Sequence, residues 1–544
     1  MKWKILNELS NLHISDTVPL LLANRHINTE AEKADFLHPT LDDLTPEKLH
    51  VNLTQLKKAQ DRIKKAIEKK ETIVIYGDYD VDGVTGTAIL WEALHGLGAN
   101  VHPYIPLRSE EGYGLSLAGI ENIKKQEKLQ DCSLIITVDN GIMAHPAVAF
   151  ANSLGIDVIV TDHHELSDTL PDAYAIIHTL DICGAGVGWV LAQSLDSSAK
   201  ETYLDLLTLS TISDLMPLSG PNRAIVFHGL PTLRKTKRVG LQELFKEAGI
   251  EDPSRIDVYE IGHIIAPRLN AMGRLESAMD SLRLLCTKNP GKARDLAHLL
   301  GETNRGRQLL MQAAAMQAVE EVKRSGSEKQ IIIHVGEYEE GIIGLVAGRL
   351  VEAFHKPAIV ITKKELVAKA SARSVDGFDI ISFIRTQEEH LLNAGGHPMA
   401  AGFSLLPEKV EEVKKLMEAL IAKEGIQVTY EKELIIDCAL PFALVSQTLY
   451  DNVQTLAPFG LANPEPLFVS DVIVDDLRTI GKDKTHIKIT LRKDGSTIDS
   501  VGFGMAEKCK TLHSGDACQI VYSVQENVWN GRKNLQLLLK DIQI

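Results

Sequence analysis

The sequence is poor in cysteine, and none of its cysteines has the spacing of a metal or redox motif. Six cysteines are scattered through 544 residues with no CxxC pair, so the sequence indicates neither a disulfide framework nor a thiolate zinc site, and a reducing compartment is expected. No uncharged run approaches the roughly 18 apolar residues of a membrane span. The start, MKWKILNELSNL, lacks the apolar core and cleavage site of a signal peptide. We therefore expect a cytoplasmic protein without membrane contact.

Basic residues are also scarce relative to acidic ones. The chain has 58 Lys and Arg against 73 Asp and Glu, a net charge of −15, which disfavours coating of duplex nucleic acid by phosphate neutralisation alone. A nucleic-acid enzyme is not excluded, because positive charge can be confined to a groove while metal ions sit on an acidic cluster. The length and the 44% hydrophobic content indicate several globular domains and exclude a single small module or a mainly disordered chain.

Hydrophobic patterning predicts an α/β protein of several units. From about residue 71 to 181, apolar runs such as ETIVIY, CSLIITV and IDVIVT alternate with helical patterns, which is typical of βαβ units and a mainly parallel sheet. A helical region with a long connector, a smaller α/β unit, a further helix and a strand-rich end that favours an OB-like barrel follow. The predicted segments are 1–70 (N-terminal helical), 71–220 (parallel-sheet domain), 221–325 (helical region and connector helix), 326–406 (smaller α/β domain), 407–462 (helical linker) and 463–544 (OB-like barrel).

Acidic residues follow the first apolar strand. Asp78, Asp80 and Asp82 lie in IVIYGDYDVDG, and in an extended segment alternate positions face the same side, so the three carboxylates would project together. Each like-charged pair at about 4 Å costs on the order of 4 kcal/mol at an effective dielectric near 20, which favours a bound cation. A solvated acidic turn that caps a helix beginning near Val84 is the alternative.

Further acidic and imidazole groups end two later strands and a helix. Asp139 ends the strand of LIITVDNGI, and Asp162, His163 and His164 follow that of DVIVTDHHE. Asp-Asn-Gly is also a common turn, but the carboxyl ends of parallel strands meet at one edge of a sheet. Asp214 ends the helical pattern DLLTLSTISDLMPL, where the helix dipole disfavours a carboxylate unless a cation compensates it. A solvent-facing Asp214 is equally compatible with this segment.

The chemistry of these groups favours divalent metal ions. About five or six O and N ligands suffice for two Mn²⁺ or Mg²⁺ ions that share a carboxylate, whereas the lack of Cys ligands disfavours zinc. Two ions about 3.5 to 4 Å apart can generate hydroxide and stabilise both the attacking and the leaving oxygen of a displacement at phosphorus. Phosphoester hydrolysis is therefore the leading reaction.

Taken in order, DYDVDG, VDNG, DHH and SD resemble the motifs of the DHH/DHHA1 phosphoesterase superfamily. GAGVGWVLAQSL, IGHIIAPRLNAMGRLESA, GGHPMAAGFSL and APFGLANPEPLF further resemble, over nearly the whole chain, its branch of single-strand-specific 5′ to 3′ DNA exonucleases. The resemblance implies a parallel-sheet DHH domain, a long helical connector, a smaller α/β DHHA1 domain and a C-terminal OB-like barrel. It implies metal-dependent hydrolysis of single-stranded DNA to 5′ mononucleotides in DNA repair and recombination.

The resemblance also implies roles for individual residues. The implied metal ligands are Asp78, Asp80, Asp82, Asp139, His163 and Asp214, and the implied catalytic residues are Asp80, Asp82, His163 and His164. The implied substrate-binding residues are Tyr113, Arg268, Asn270, Arg274, Ser371, Arg373, Gly395, Gly396, His397 and Trp529. From the residues alone, Arg373 is equally a surface arginine, the GGH segment a turn, and Tyr113 and Trp529 core residues.

The sequence departs from the superfamily pattern in three places. The segment between Asp162 and Gly186 is shorter and lacks the usual Asn-Pro and Tyr-Pro elements, VDNG carries Asn140 at a variable position, and no large extra domain follows the barrel. We expect a monomer whose protein partners belong to replication or repair.

Two other functions stay open. A phosphodiesterase acting on short oligoribonucleotides or small nucleotides is disfavoured by the barrel, because a dinucleotide needs no grip on a long strand. A noncatalytic single-strand-binding replisome scaffold is disfavoured because a scaffold gains nothing from a repulsive acidic cluster.

Overall fold

The computed structural model of the chain describes residues 2–8, 12–166, 168–325, 329–424, 433–529 and 532–544. The described residues of the N-terminal segment form one strand and three α-helices: β1 (Lys2–Ile5), α1 (Thr17–Asn24), α2 (Glu30–Leu37) and α3 (Leu53–Lys69). The Asn52 side chain caps α3 by accepting the N–H groups of Thr54 and Gln55, a common helix start. The buried face of α3 joins the core beneath the first large sheet.

A five-stranded parallel sheet forms the first large unit, as predicted. Its strands are β2 (Thr72–Gly77), β3 (Asn100–Tyr104), β4 (Cys132–Val138), β5 (Asp157–Asp162) and β6 (Ala175–His178). The intervening helices are α4 (Val81–Gly96), α5 (Arg108–Glu111), α6 (Leu117–Lys125) and α7 (His145–Ser153). The order β3-β2-β4-β5-β6 reverses direction between β2 and β4, and such a switch point opens a crevice at the carboxyl ends of the strands.

A helical region follows the sheet and leads into the predicted connector. Its helices are α8 (Gly184–Leu195), α9 (Ala199–Thr202), α10 (Leu204–Ser213), α11 (Gly220–Arg234), α12 (Val239–Glu247), α13 (Ala266–Leu275), α14 (Met279–Cys286) and α15 (Pro290–Ser325), with a π-helical turn (Glu260–Ile265) before α13. Helices α8 and α10 pack on α4. The connector α15 is one helix of 36 residues. The first half of α15 packs in the core of the first unit, and its second half packs in the core of the smaller α/β unit that follows. The helix therefore joins these two units, which form the two lobes of the protein.

The second lobe is a smaller α/β unit around a mixed sheet. It contains β7 (Ile332–Gly336), α16 (Ile343–Phe354), β8 (Ala358–Thr362), β9 (Ala368–Arg373), α17 (Ile380–Arg385), β10 (Asn393–His397), β11 (Ala400–Leu405) and α18 (Val410–Glu424). The strand order is β10-β11-β9-β8-β7, and only the β7–β8 pair is parallel. Helix α18 contributes Val410, Val413 and Met417 to the core of this lobe.

The C-terminal unit is a closed five-stranded barrel, which confirms the OB-like prediction. The unit contains β12 (Glu433–Ile436), β13 (Cys438–Ala439), α19 (Gln447–Gln454), β14 (Phe468–Ile480), β15 (His486–Lys493), β16 (Ser496–Gly502), β17 (Ala517–Trp529) and β18 (Arg532–Gln543). The first half of β14 pairs with β17 and its second half with β15, with a bulge between Val474 and Asp476. The bulge bends the long strand and so lets it close the barrel.

The N-terminal segment packs against the barrel although the two are distant in sequence. Strand β1 pairs in parallel with β12, and Leu21 and Leu22 lie in the same core as Phe468 and Tyr522 of the barrel. No helix in the described ranges is long and apolar enough to cross a membrane.

Arg223 holds three segments together where the N-terminal segment, the first unit and the barrel meet. It is 1% exposed, and its guanidinium donates to the carbonyl oxygens of Phe36 (2.7 Å), Ala457 (2.9 Å) and Pro458 (3.3 Å). Its Cζ lies 3.7 Å from the centroid of the Phe36 ring. The arginine therefore satisfies three carbonyl groups that its loss would leave buried and unpaired.

We expect Arg223→Ala to lower the free energy of unfolding by about 3 kcal/mol, because unpaired buried carbonyl groups cost about 1–3 kcal/mol each. Urea denaturation followed by circular dichroism measures the change. Arg349, whose side chain is 54% exposed in an i,i+3 pair with Glu352, is the matched control, and Arg349→Ala should change stability by less than about 0.5 kcal/mol. Equal effects of the two substitutions would contradict the structural role of Arg223.

Candidate active site

The strand-end acids meet at the carboxyl edge of the parallel sheet. Asp78 directly follows β2, Asp139 directly follows β4, and Asp162 ends β5. The Asp78 N–H donates to the Val138 carbonyl (3.2 Å), and the Asp139 N–H donates to the Thr161 carbonyl (3.0 Å). Each strand end is thus held by its neighbour, and the switch point between β2 and β4 lies at the centre of the group.

The prediction that Asp78, Asp80 and Asp82 share one extended segment is wrong. Helix α4 begins at Val81, earlier than the predicted start near Val84, because the Asp80 carboxylate caps it and accepts the N–H groups of Asp82 (2.9 Å) and Gly83 (3.1 Å). Asp82 lies in the first turn of this helix. The carboxylates therefore divide, with Asp78 and Asp80 on one side of the site and Asp82 on another.

His163 joins carboxylates from three parts of the chain. Its Nε2 atom lies 3.2 Å from Asp139 Oδ1, 3.6 Å from Asp82 Oδ2 and 3.6 Å from Asp214 Oδ2. Asp214 directly follows the last residue of α10, which packs on α4. Its carboxylate contacts the imidazole, so a purely solvent-facing role for Asp214 does not describe its position.

His164 is fixed from both sides of its ring. Its Nδ1 atom lies 2.7 Å from Asp162 Oδ1, and its Nε2 atom lies 3.0 Å from the Tyr113 hydroxyl. Asp162 also accepts the Ile142 N–H at 2.9 Å, and the His178 Nε2 atom donates to the His164 carbonyl at 2.7 Å. Tyr113 is 54% exposed, which rules out its alternative role as a core residue.

Asp162 is one of the acidic residues predicted at the sheet edge but is not among the implied ligands or catalytic residues, and His178 is in neither group. Both act through His164, and only the folded structure reveals these contacts. Asp162 is part of the DHH motif, but the motif does not show whether this residue binds a metal ion or orients a neighbouring side chain such as His164.

Burial and mutual repulsion destabilise the charged form of the carboxylates in this site. Burial raises the pKa of Asp78 and of Asp139 well above the usual range, and neighbouring carboxylates raise both further. Burial and the charge of Asp82 also raise the pKa of Asp80 and take that of Asp214 to about 9. Burial alone would lower the pKa of His164, but its contact with Asp162 raises it to about 9.

Two buried carboxylate oxygens have no hydrogen-bond donor among the described residues. They are Asp78 Oδ1 and Asp139 Oδ1. A buried carboxylate oxygen left unpaired is costly, whereas a divalent cation would satisfy both oxygens and relieve the repulsion around them. The residues present therefore fit a divalent metal ion that prefers oxygen and imidazole ligands, such as Mn²⁺ or Mg²⁺.

Within the described ranges, three sets of side chains could hold such ions. The ligand atoms of each set lie within 4.8 Å of one another: Asp78, Asp80 and Asp139; Asp82, His163 and Asp214; and Asp139, His163 and His164. Asp139 belongs to two sets, and its backbone is held at φ 61°, a left-handed conformation that is uncommon for residues other than glycine. Gly184 permits this approach, because a Cβ there would lie 2.5 Å from the Asp139 Cβ.

The raised pKa values predict that the metal-free protein loses stability as the pH rises from 7 to 9. Asp214 and His164 have folded pKa values of about 9 against 3.8 and 6.5 as usual values, so the folded state keeps protons that the unfolded state releases. The stability they contribute is complete below their unfolded pKa values and is lost as the pH rises through their folded values. Mn²⁺ must displace these protons, so its stabilising effect should grow over the same range.

Thermal unfolding of chelator-treated protein at pH 7 and pH 9, with and without Mn²⁺, measures this dependence. Asp214→Asn should flatten the dependence of the metal-free protein, because the amide does not titrate. A transition temperature in the metal-free parent that rises between pH 7 and pH 9 would contradict the assignment.

Asn140 holds the loop that carries Tyr113. Its Nδ2 atom donates to the carbonyl oxygens of Val138 (2.8 Å) and Tyr76 (3.2 Å), and its Oδ1 atom accepts the Leu115 N–H (3.1 Å). Asn140 departs from the superfamily pattern, and the three hydrogen bonds of its side chain link the end of β4 to the rim of the site.

Helix α13 brings two of its three predicted substrate residues to the acidic edge. Asn270 accepts the Val81 N–H at 2.9 Å, next to the capping residue of α4. Arg274 donates to the Gly341 carbonyl of the second lobe at 3.1 Å. Arg268 is instead engaged by Glu247 (3.0 Å) and by the Ile264 carbonyl (2.7 Å), which ties α13 to α12.

Two further arginines, Arg108 and Arg307, carry charges that act on Arg274 and were not predicted. Burial, together with the charges of Arg108 and Arg307, lowers the pKa of Arg274 to about 10. The Arg108 guanidinium also lies 5.3 Å from the Tyr79 ring centroid. Neither residue belongs to a motif that marks it in the sequence, and the fold alone brings them together.

The sheet of the second lobe aligns its two predicted motifs. Ser371 on β9 pairs with Gly402 on β11, which pairs with Gly395 on β10. Through Ala400, Arg373 is aligned in the same way with His397. The GGH segment, including Gly396, is therefore part of an edge strand, and one strand separates it from the SARS segment. Trp529 ends β17, but its side chain lies outside the described part of the structure.

Comparisons with known proteins agree with this geometry. Three family models match the chain: "DHH family, N-terminal domain" over residues 72–211, "DHHA1 domain" over 328–423 and "RecJ OB domain" over 436–541. The single-stranded-DNA-specific exonuclease RecJ of Bacillus subtilis is 37% identical over 558 residues, which cover 99% of this chain and 70% of that protein.

Two solved structures of RecJ from Thermus thermophilus share the architecture. The Mn²⁺ complex superposes with a TM-score of 0.81 at 28% identity and covers 100% of this chain and 79% of that one. The Mg²⁺ complex gives a TM-score of 0.78 at 27% identity, with coverage of 100% and 78%. The resemblance to the exonuclease branch of the DHH/DHHA1 superfamily is confirmed, and the chain belongs to the RecJ family.

Proposed function

We propose that this protein is a metal-dependent exonuclease that hydrolyses single-stranded DNA from the 5′ end to 5′ mononucleotides. The observation that carries the proposal is the convergence of His163 with Asp82, Asp139 and Asp214 at one sheet edge, where the buried Oδ1 atoms of Asp78 and Asp139 accept no hydrogen bond from the described residues. The named activity of the RecJ relatives supports it, as do the Mn²⁺ and Mg²⁺ complexes of one of them.

The proposed ligands divide into two positions. Asp82, His163 and Asp214 would hold one ion, Asp78 and Asp80 the other, and Asp139 would contact both. Mn²⁺ or Mg²⁺ bound there would supply the acidity that activates water and neutralise charge on the phosphate oxygens. His164 would contact the scissile phosphate, and the acceptor oxygen of Asp162 holds its ring in position.

The substrate strand would lie between the two lobes. Asn270 and Arg274 line one wall beside the acidic edge, and Ser371, Arg373 and the GGH segment of the second lobe would contact the 5′ end. Guanidinium forks and exposed backbone N–H groups suit phosphate oxygens. Exclusion of duplex DNA would be steric, because a cleft between the lobes would admit one flexible strand whereas a duplex is too wide.

Digestion of single strands labelled at either end tests the proposal most simply. With Mn²⁺, a 5′ label should appear at once as mononucleotide while a 3′ label stays in long products until late. A chelator should stop the reaction. Release from the 3′ end first, or faster cleavage of very short oligoribonucleotides than of DNA, would contradict the proposal and favour the phosphodiesterase alternative. Strand binding without any cleavage would favour the scaffold.

The barrel would grip the strand away from the site. Phe503 directly follows β16, is 64% exposed and lies edge-on to the His486 ring at 5.3 Å between centroids. The His486 ring is fixed by the Gly504 N–H, which donates to its Nδ1 atom at 3.0 Å. An exposed aromatic ring held by a fixed neighbour is a suitable surface for nucleobase stacking.

We expect Phe503→Ala to weaken binding of a long single strand about tenfold, since stacking of one base contributes about 1–3 kcal/mol. Fluorescence anisotropy with a catalytically silent metal such as Ca²⁺ measures the affinity. Cleavage of very short oligomers should not change. Leu366→Ala, at an 82% exposed apolar residue of the second lobe, is the control, and equal losses in both variants would contradict a specific role for Phe503.

The remaining expectations concern the setting of the protein. We place it in the cytoplasm, which suits its six free cysteines, with partners in replication or repair and with a role in repair and recombination. We also expect the protein to act as a monomer. The six-segment division of the chain also stays a prediction, tested by limited proteolysis, and light scattering tests the monomer.

A further inference from the structure

The Asp82 carboxylate is held by three donors inside the protein. Its side chain is 1% exposed. The Gly184 N–H donates to Oδ2 at 2.7 Å and the Ala185 N–H donates to Oδ1 at 2.7 Å, while the Ser210 hydroxyl donates to Oδ1. The two backbone donors come from the first turn of α8, a helix of 12 residues, whose N-terminal N–H groups favour an anion.

These three hydrogen bonds distinguish the two oxygens of Asp82. A carboxylate oxygen has about two acceptor positions, and both positions of Oδ1 are used by Ala185 and Ser210. Oδ2 accepts one hydrogen bond and lies 3.6 Å from His163 Nε2. Oδ2 is therefore the oxygen that keeps an acceptor position toward the set formed by Asp82, His163 and Asp214.

The Ser210 hydroxyl is itself oriented. The Cys183 Sγ atom lies 3.3 Å from Ser210 Oγ, and both residues are fully buried. A hydroxyl has a single proton, and in Ser210 that proton is directed to the carboxylate, so the thiol is the donor in its contact with Ser210. The resulting chain of donors runs from Cys183 to Ser210 to Asp82.

Helix α10 presents Ser210 and Asp214 together. The Asp214 N–H donates to the Ser210 carbonyl at 2.9 Å, and residues four positions apart lie on the same face of a helix. One helical turn thus supplies a donor to Asp82 and a further carboxylate beside Asp82. Any rotation of α10 would displace both.

We infer that Ser210 is a positioning residue: with the first turn of α8, its hydroxyl holds Asp82 so that only Oδ2 faces the cation position. This inference rests on the proposed function, because it concerns the proposed metal ligand Asp82. Without the hydroxyl, Oδ1 regains an acceptor position, and only the two backbone N–H groups of Gly184 and Ala185 restrain the carboxylate. The cation would then meet a less ordered ligand.

The test measures Mn²⁺ affinity directly by isothermal titration calorimetry and by the EPR signal of free Mn²⁺. Ser210→Ala should lower the affinity about tenfold or more, in the range of residues that orient metal ligands. Ser210→Cys keeps a weak donor of similar size and should give an intermediate value. Thr208→Val is the matched control, because the buried Thr208 hydroxyl on the same helix donates to the Leu204 carbonyl, and it should bind Mn²⁺ as the parent does.

The outcomes separate this inference from the function on which it rests. Parent protein that binds Mn²⁺ and cleaves single strands, with Ser210→Ala binding Mn²⁺ equally well, would overturn the inference and leave the function intact. An equal loss in Thr208→Val would also overturn it, since that would show a general effect of removing a buried hydroxyl. Parent protein that binds no Mn²⁺ would overturn both.

Discussion

Replacing His163 by alanine should lower the rate of phosphodiester cleavage by about a thousandfold or more. Its Nε2 atom lies within 3.6 Å of carboxylate oxygens of Asp82, Asp139 and Asp214, so its loss would remove a ligand from the centre of the site. Metal ions supply several kcal/mol of transition-state stabilisation, and about 1.4 kcal/mol corresponds to each tenfold of rate. Initial rates of mononucleotide release from a labelled single strand with Mn²⁺ measure the effect.

His102 offers a control on the same sheet. It lies on β3, where its Nε2 atom contacts Asn100 at 3.3 Å, and His102→Ala should cleave at the parent rate. Circular dichroism should show that both variants keep the parent fold. A rate within tenfold of the parent in a folded His163→Ala protein would remove His163 from the proposed ligands.

The second large effect concerns the 5′ end of the strand. Arg373 is half-buried, and burial lowers its pKa. Its guanidinium donates to Ser371 Oγ (3.3 Å) and to the Ala372 carbonyl (2.8 Å), with no acidic partner within ion-pair distance among the described residues. Gly344 leaves room for it, because a Cβ there would lie 3.0 Å from its Nη2 atom. A half-buried cation without a counter-charge suits an incoming phosphate.

Arg373→Ala should therefore reduce the preference for a 5′-phosphorylated over a 5′-hydroxyl strand by about tenfold to a hundredfold, since a hydrogen bond to a charged group contributes about 1.5–3 kcal/mol. The ratio of kcat/KM for the two substrates measures it. Arg385→Ala, at an exposed arginine of the same lobe, should keep the parent ratio. A parent protein without any preference, or an unchanged ratio in Arg373→Ala, would contradict the assignment.

Much of the fold could be predicted from local patterns. The apolar runs before Asp78, Asp139 and Asp162 predict strands because both faces of a parallel sheet are buried. Their common edge follows because parallel strands end on the same side. The connector and the barrel are also visible as helical periodicity and as short strands with glycine turns.

Details of the site could not be predicted from the sequence, because they depend on contacts between segments that are distant along the chain. Asp80 caps α4, so Asp82 turns away from Asp78, whereas spacing alone indicates one extended row. Ser210 and Asp162 each act through a neighbouring side chain, and neither role has a signature in a single sequence. The packing of Leu21 and Leu22 on the barrel is equally invisible, since more than 400 residues separate the partners.

The most direct test of the proposed metal site is anomalous diffraction at the manganese edge from crystals soaked in Mn²⁺. We expect two peaks about 4 Å apart, one beside Asp82, His163 and Asp214 and one beside Asp78 and Asp80, with Asp139 between them. A map without peaks at this edge of the sheet, with these side chains directed away from one another, would contradict the proposed site.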